Sequence, residues 1–98
     1  MSAKVKKVAA DGAHSELTEE IIGCSFTVAN ELGVGFVEKV YENALVHELR
    51  KRGLTALQQH PFSVRYDDVV IGEFVADVLV EDRVIIELKA VSEFNSVH

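Results

Sequence analysis

The residues best suited to chemistry are two acids and a lysine, Asp77, Glu87 and Lys89, which interrupt apolar runs late in the sequence. Charged side chains in such runs are costly to bury unless they are paired or bind an ion. Glu87 and Lys89 are two residues apart, so in a strand they point to the same face. Two carboxylates that share a divalent cation, with a lysine beside them, indicate metal-dependent hydrolysis. The alternative that fits the spacing equally well is an edge strand with a surface ion pair between Glu87 and Lys89.

The length of the turn between the two strands decides whether Asp77 joins Glu87. A two-residue loop at positions 81–82 places Asp77 opposite Ile86, and Glu87 then faces the other side of the sheet. A three-residue loop at positions 81–83 places Asp77 opposite Glu87, with the two carboxylates on one face about 5 Å apart. Three residues is a common hairpin connection, so this register is feasible. The spacing leaves both registers open.

Two helices joined by a glycine turn precede these strands. Thr18 is the predicted N-cap of the first helix, whose apolar residues recur at helical spacing until the glycines at positions 33 and 35. The second helix is predicted from near Phe36 to the cations at positions 50–52, with Gly53 as its C-cap. These helices are expected to cover one face of the sheet.

After the second helix the apolar period changes to two, which indicates strands. The predicted strands and turn are 54–59, ending before His60-Pro61, then 62–66, a turn at Asp67-Asp68, 69–80 and 83–91. Gln58 and Gln59 are interpreted as exposed polar positions at a strand end. The order predicts an α+β fold, with two N-terminal helices packed on a mainly antiparallel β-meander.

The charge of the chain argues against one class of function. The net charge is −6, and residues 15–98 carry 7 basic against 15 acidic side chains, hence a net charge of −8. Such an acidic body does not fit a general nucleic-acid coat, because phosphate binding needs a basic surface. Carboxylates that bind a divalent metal ion would invert the local field and still admit a nucleic-acid substrate.

The composition and the ends of the sequence indicate one globular domain. We predict a flexible tail over residues 1–14 and a single domain over residues 15–98, because the basic N-terminal stretch has no apolar period. No apolar run reaches the roughly 18 residues that span a bilayer, and no signal-peptide core is present. Cys24 is the single cysteine. We therefore expect a cytoplasmic protein with no membrane partner, disulfide framework or Cys-based zinc cluster.

Residues 35–41, GFVEKVY, place Gly35, Glu38 and Tyr41 at the spacing G-x-x-E-x-x-Y. Asp77 and the stretch Glu87-Leu88-Lys89-Ala90 follow in the same order as in a known family. From about Leu17 onward the sequence resembles the GxxExxY proteins, a prokaryotic family placed in the PD-(D/E)XK nuclease-like superfamily. The resemblance implies a restriction-endonuclease-like core and the hydrolysis of nucleic-acid phosphodiesters.

The same resemblance implies roles for individual residues. Asp77, Glu87 and the Leu88 backbone carbonyl would bind Mg²⁺ or Mn²⁺, and Lys89 would orient or activate the attacking water. Glu38 matches the helix-borne acid that completes such sites, so the implied catalytic set is Glu38, Asp77, Glu87 and Lys89.

The resemblance also bears on assembly. Relatives continue with a further helix and strand, so the resemblance implies a partial core. Either the C-terminal part is truncated, or a second copy covers the open sheet in a homo-oligomer, which we expect to be a dimer. The alternative function is a non-catalytic oligomeric interaction or regulatory module on the same fold.

Overall fold

The structure, a computed structural model, describes residues 2–7 and 15–89. In chain order, the elements are β1 (Ser2–Lys7), α1 (Ser15–Leu32), α2 (Glu38–Lys51), β2 (Ala56–Tyr66), β3 (Val69–Val80) and β4 (Val84–Lys89). The strands form one sheet in the order β1-β4-β3-β2, and each neighbouring pair is antiparallel. Two helices therefore precede an antiparallel β-meander. This confirms the predicted α+β class and is consistent with a partial restriction-endonuclease-like fold.

Helix α1 begins earlier than the sequence predicted. It starts at Ser15, so Thr18 lies inside the helix instead of at its N-cap. Within the described residues, the buried hydroxyl of Thr18 has no hydrogen-bond partner. The helix ends at Leu32 as predicted, because Gly33 takes a φ of +72°, which a side chain disfavours. Cys24 is fully buried in this helix, and burial raises the pKa of its thiol.

Helix α2 ends at the predicted glycine. Gly53 has a φ of +86°, and its N–H donates to the carbonyl of Arg50 at 3.0 Å. The N–H of Leu54 donates to the carbonyl of Leu49, also at 3.0 Å. These two bonds form a Schellman motif, which satisfies carbonyls that the helix end would otherwise leave unpaired. Within the described residues, no helix is both long and apolar enough to cross a membrane.

The main core lies between the helices and one face of the sheet. Its buried residues are Ile21, Cys24, Val28, Tyr41, Leu45, Val46, Leu49, Ala56, Val78, Val80, Val84, Ile86 and Leu88. A smaller cluster contains Ala76, Leu79 and Ile85, with Phe62 packed against it. Because neighbours along a strand point to opposite faces, Leu79 and Ile85 place this cluster on the face away from the helices.

Strand β1 differs from the flexible tail predicted for residues 1–14. Ser2–Lys7 pairs with β4, with Lys7 opposite Val84 and Ser2 opposite Lys89. Main-chain hydrogen bonds form such a pairing. They do not require alternating apolar side chains, so the sequence does not indicate this strand. The rest of the predicted tail, residues 1 and 8–14, lies outside the described residues, as do residues 90–91 of the predicted last strand.

Strand β2 is continuous, whereas the sequence predicted a break at His60-Pro61. Pro61 lies opposite Val75 in the β2–β3 ladder. Because β2 is at the edge of the described sheet, the missing proline N–H removes no bond to another strand. The predicted turn is confirmed: Asp67 and Asp68 have φ of +51° and +61°, as in a two-residue type I′ hairpin.

Candidate active site

The β3–β4 hairpin has the three-residue loop. Val80 lies opposite Val84 in the ladder. Continuing that register by one residue places the main chain of Asp77 opposite that of Glu87, just beyond the last ladder pair. Of the two registers that the sequence left open, the one with the three-residue loop is therefore formed.

Glu81 fixes this loop to the start of β2. Its carboxylate accepts hydrogen bonds from the hydroxyl and the N–H of Thr55, both at 2.7 Å, and its own N–H donates to the Thr55 carbonyl at 3.0 Å. Glu81 and Asp82 have φ of +53° and +56°, and the N–H of Arg83 closes the turn on the Val80 carbonyl at 3.0 Å. The hydrogen bond from the Thr55 hydroxyl, followed by that from its N–H, lowers the pKa of Glu81.

We expect Glu81→Gln to lower stability at neutral pH and to weaken its dependence on pH. The pKa of Glu81 is lower in the folded protein than the ordinary value of 4.5. Its contribution is therefore present above that value and is lost as the pH falls through the folded pKa. Urea midpoints of the variant and the wild type should differ at neutral pH and converge in acid.

The matched control for this prediction is Asp82→Asn, an exposed neighbour in the same loop. Asparagine tolerates the left-handed backbone that Asp82 adopts, so the control should keep the pH dependence of the wild type. Identical midpoints for Glu81→Gln and wild type at neutral pH would contradict the stabilising role of the Thr55 contact.

Asp77 lies where β3 and β4 separate. Its Oδ2 accepts a hydrogen bond from the N–H of Leu88 at 2.7 Å. The β3–β4 ladder ends at Val78, so this carboxylate binds the strand's main chain just beyond the last ladder pair. The contact holds Asp77 against β4 beside Glu87. Its other oxygen, Oδ1, lies 3.4 Å from the side-chain nitrogen of Gln59.

Glu87 and Lys89 lie on the face of β4 opposite the helices. Glu87 alternates with Ile86 and Leu88, which both belong to the main core, so its side chain points the other way. Glu87 is half-buried and Lys89 is exposed. Within residues 16–89, neither takes part in an ion pair or a side-chain hydrogen bond. The surface ion pair that was the alternative interpretation is therefore not formed there.

Glu38 does not complete a cluster of three acids. It is exposed at the start of α2. Across the described part of the chain, no three His, Cys, Asp or Glu residues come together as a metal-binding group, so Glu38 does not join Asp77 and Glu87. The α2 acid that contacts the strands is Glu42, one turn later and only 4% exposed. Glu42 was not among the predicted site residues, although a glutamate within the apolar stripe of a helix was the available indication.

A hydrogen-bonded chain links Glu42 to Asp77. Oε1 of Glu42 accepts a hydrogen bond from Nε2 of Gln59 at 2.9 Å, and the same nitrogen faces Asp77. Oε2 of Glu42 accepts from Nε2 of Gln58 at 2.6 Å and from Nζ of Lys39 at 2.9 Å. The two glutamines were predicted as exposed polar positions, and Gln59 is exposed, whereas Gln58 is half-buried. Their side chains also connect α2 to the strand that carries Asp77.

The tyrosine of the G-x-x-E-x-x-Y spacing has a structural contact. The Tyr41 side chain is 3% exposed, and its hydroxyl donates to the carbonyl of Gly33 at 2.5 Å. The ring of Phe36 packs edge-on against it, with the centroids 6.2 Å apart. Gly35 has a φ of +101°, which favours glycine. These contacts fix the turn between the two helices.

Comparison with known families agrees with this arrangement. The family model of the PD-(D/E)XK nuclease superfamily matches residues 15–98. The chain belongs to this superfamily. In this PD-(D/E)XK protein, the match includes both helices and the strands that carry Asp77, Glu87 and Lys89. No curated protein and no solved structure matches the chain.

The acids of this PD-(D/E)XK protein suit a divalent metal ion that takes only part of its ligands from the protein. Nucleases of the superfamily generally depend on a divalent metal ion. Mg²⁺ is commonly held by one or two carboxylates, with waters and substrate phosphates as the remaining ligands. Asp77 and Glu87 supply two carboxylates from opposite positions of neighbouring strands, and Glu87 makes no competing ion pair within residues 16–89. A third acid is not required for this mode of binding.

Proposed function

We propose that this PD-(D/E)XK protein is a metal-dependent nuclease that hydrolyses phosphodiester bonds in nucleic acid. The observation that supports the proposal best is the β3–β4 register, which sets Asp77 opposite Glu87, with Lys89 two residues further along β4. In this proposal Asp77, Glu87 and the Leu88 carbonyl are the ligands of Mg²⁺ or Mn²⁺. When bound, the ion supplies Lewis-acid stabilisation of charge on the phosphoryl group.

Lys89 is the proposed catalytic cation. Its ammonium group follows Glu87 on the same face and is exposed to an incoming substrate. A fixed positive charge at this place stabilises the negative charge that develops on the phosphoryl oxygens, and it orients the attacking water. Glu38, the remaining acid of the implied catalytic set, is left out of the metal ligands because no group of three acids forms among the described residues.

We also propose the finer assignment to the GxxExxY family. Gly35, Glu38 and Tyr41 occur at the required spacing. The positive φ of Gly35 explains the glycine of this spacing, and the hydrogen bond from Tyr41 to Gly33 explains the tyrosine.

The proposal is tested by metal binding and metal-dependent cleavage in the wild-type chain. Calorimetry with Mn²⁺ should show binding in the micromolar to millimolar range. Labelled single- and double-stranded DNA and RNA should be cleaved in Mg²⁺ or Mn²⁺, preserved in excess EDTA, and cleaved again when metal is restored. Absence of both binding and cleavage would contradict the proposal.

A second candidate function, an oligomeric interaction module, is favoured by the far part of the β2–β3 hairpin. Strand β4 pairs with β3 only up to Val78, so within the described residues the hairpin at positions 61–75 is a two-stranded arm. Isolated hairpins are marginal in water, and large exposed apolar surfaces mark interaction sites. The exposed apolar side chains of the arm are Val64, Tyr66, Val69, Val70, Ile71, Phe74 and Val75.

In this second proposal, a homodimer covers the arms. The edge of β3 beyond Val78 has no partner strand among the described residues, and two antiparallel copies related by a two-fold axis can pair along it. Light scattering after size-exclusion chromatography should give the mass of a dimer. A stable monomer would contradict the assembly, and a dimer without Mn²⁺ binding would favour the module over the nuclease.

A further inference from the structure

The backbone of β2 is irregular at Gln59, whose φ is +52°. A residue with a side chain rarely adopts this conformation inside a strand, and such strain persists only where the surroundings impose it. The β2–β3 ladder is intact at positions 58 and 60, on either side of Gln59. The irregularity is therefore confined to the position opposite Asp77.

At this position both strands of the β2–β3 hairpin change which of their alternate residues point toward the helices. Ala56 and Val78 belong to the core beneath the helices, whereas Phe62 and Ala76 belong to the cluster on the other face. Strict alternation would keep residues separated by even numbers on one face, so both strands change face between these positions. The left-handed conformation of Gln59 lies within this change of face, and it turns this side chain toward α2.

Glu42 is the anchor of the Gln59 side chain. It is 4% exposed, and both of its oxygens already accept hydrogen bonds, Oε1 from Gln59 and Oε2 from Gln58 and Lys39. A buried carboxylate engaged in this way is poorly placed to bind a metal ion directly. It is well placed to hold a neighbouring amide in one orientation.

We propose that Gln59 is a positioning residue for the candidate metal site, in which Glu42 holds the Gln59 amide and that amide orients Asp77. The inference rests on the proposed nuclease function. The same nitrogen of Gln59 lies 2.9 Å from Glu42 and 3.4 Å from Oδ1 of Asp77, while Oδ2 of Asp77 accepts from Leu88 at 2.7 Å. Both oxygens of Asp77 are thus oriented before any metal ion arrives. In this backbone conformation one side chain contacts both acids, which gives the strain at Gln59 a purpose.

The variant Gln59→Gly separates positioning from a merely structural role, because metal binding should weaken without a parallel loss of stability. Glycine adopts a φ of +52° without strain, which offsets the lost hydrogen bond to Glu42, so the urea midpoint should stay near that of the wild type. Loss of the amide should weaken Mn²⁺ binding in calorimetry roughly tenfold, as expected for a residue that orients a ligand. A structural role alone would lower stability and binding together.

The matched control is Gln58→Ala. Gln58 also donates to Glu42, at 2.6 Å, and to Asn43, but it makes no contact with Asp77. This substitution removes a hydrogen bond of the same chemical type from the same carboxylate, and the Mn²⁺ affinity should stay at the wild-type value. An equal loss of affinity in Gln58→Ala and Gln59→Gly would overturn the specific role of Gln59.

Hydrogen exchange at the Leu88 amide tests the same inference without a metal ion. This N–H is bonded to Asp77, so a less restrained Asp77 should let it exchange faster in Gln59→Gly than in the wild type, while the Ile86 amide is unchanged. If wild-type protein binds no Mn²⁺, the proposed metal site is wrong, and Leu88 exchange still decides whether Gln59 positions Asp77. Equal Leu88 exchange in the two proteins would overturn the inference.

Discussion

Lys89→Ala is expected to slow nucleic-acid cleavage by roughly 10²–10³-fold while leaving Mn²⁺ binding unchanged. Lys89 is exposed and makes no ion pair with a described residue, so its truncation should cost the fold little. Its charge is placed to act on the phosphoryl oxygens, where negative charge develops only during the reaction. A group that acts mainly in the transition state changes the rate constant more than ground-state binding. Single-turnover cleavage at saturating metal measures this rate directly.

Arg83→Ala provides the control for Lys89. Arg83 is an exposed cation in the loop of the same hairpin, at the end of β4 away from Lys89. Its removal changes the net charge by the same amount and should leave the cleavage rate near that of the wild type. A similar loss of rate in both variants would indicate a general electrostatic effect on substrate binding and would contradict the assigned role of Lys89.

The double variant Asp77→Asn/Glu87→Gln should lose both Mn²⁺ binding and cleavage. The substitutions remove two negative charges but keep side chains of nearly the same size. An asparagine oxygen at position 77 can still accept the hydrogen bond from Leu88, so the strands should remain in place. Calorimetry measures the binding, and circular dichroism with urea unfolding checks that the fold is kept.

Asp67→Asn/Asp68→Asn is the matched control for the loss of two acids. These residues form the tip of the β2–β3 hairpin, and asparagine suits their left-handed backbone conformation. The control has the same net charge as the double variant at the site, but it should bind Mn²⁺ as the wild type does. When it is purified in the same way, this control also shows how much cleavage comes from contaminating nucleases. Retained binding in Asp77→Asn/Glu87→Gln would contradict the assignment of the metal ligands.

The fold was predictable where a single residue type determines the local structure. Gly33 and Gly53 end their helices because each takes a positive φ, and the turn at Asp67-Asp68 follows from acids that tolerate the same region. Strand β1 was missed because its pairing depends on main-chain groups, which the sequence does not distinguish. Thr18 was misplaced because a good N-cap residue is also tolerated inside a helix when packing extends it.

The candidate site was predictable by residue type but not by geometry. Asp77 and Glu87 are recognisable because acids rarely interrupt apolar strands. Their facing register depends on the loop that Glu81 fixes to Thr55, a contact between segments that spacing alone does not relate. Gln59 was not predicted as a site residue for a similar reason. Its proposed role depends on a backbone conformation that no sequence pattern indicates.

Strand β1 precedes the other strands in the chain, yet we expect it to join the sheet last. The β2–β3 hairpin closes through two residues and β4 joins after three more, so these pairings need only short loops. The pairing of β1 with β4 instead closes a loop that contains nearly the whole described chain. Folding rates fall as contacts become more distant in sequence, so this closure should limit the rate. Strand β4, which carries the proposed catalytic lysine, thus gains its second neighbouring strand from the described segment farthest from it along the chain.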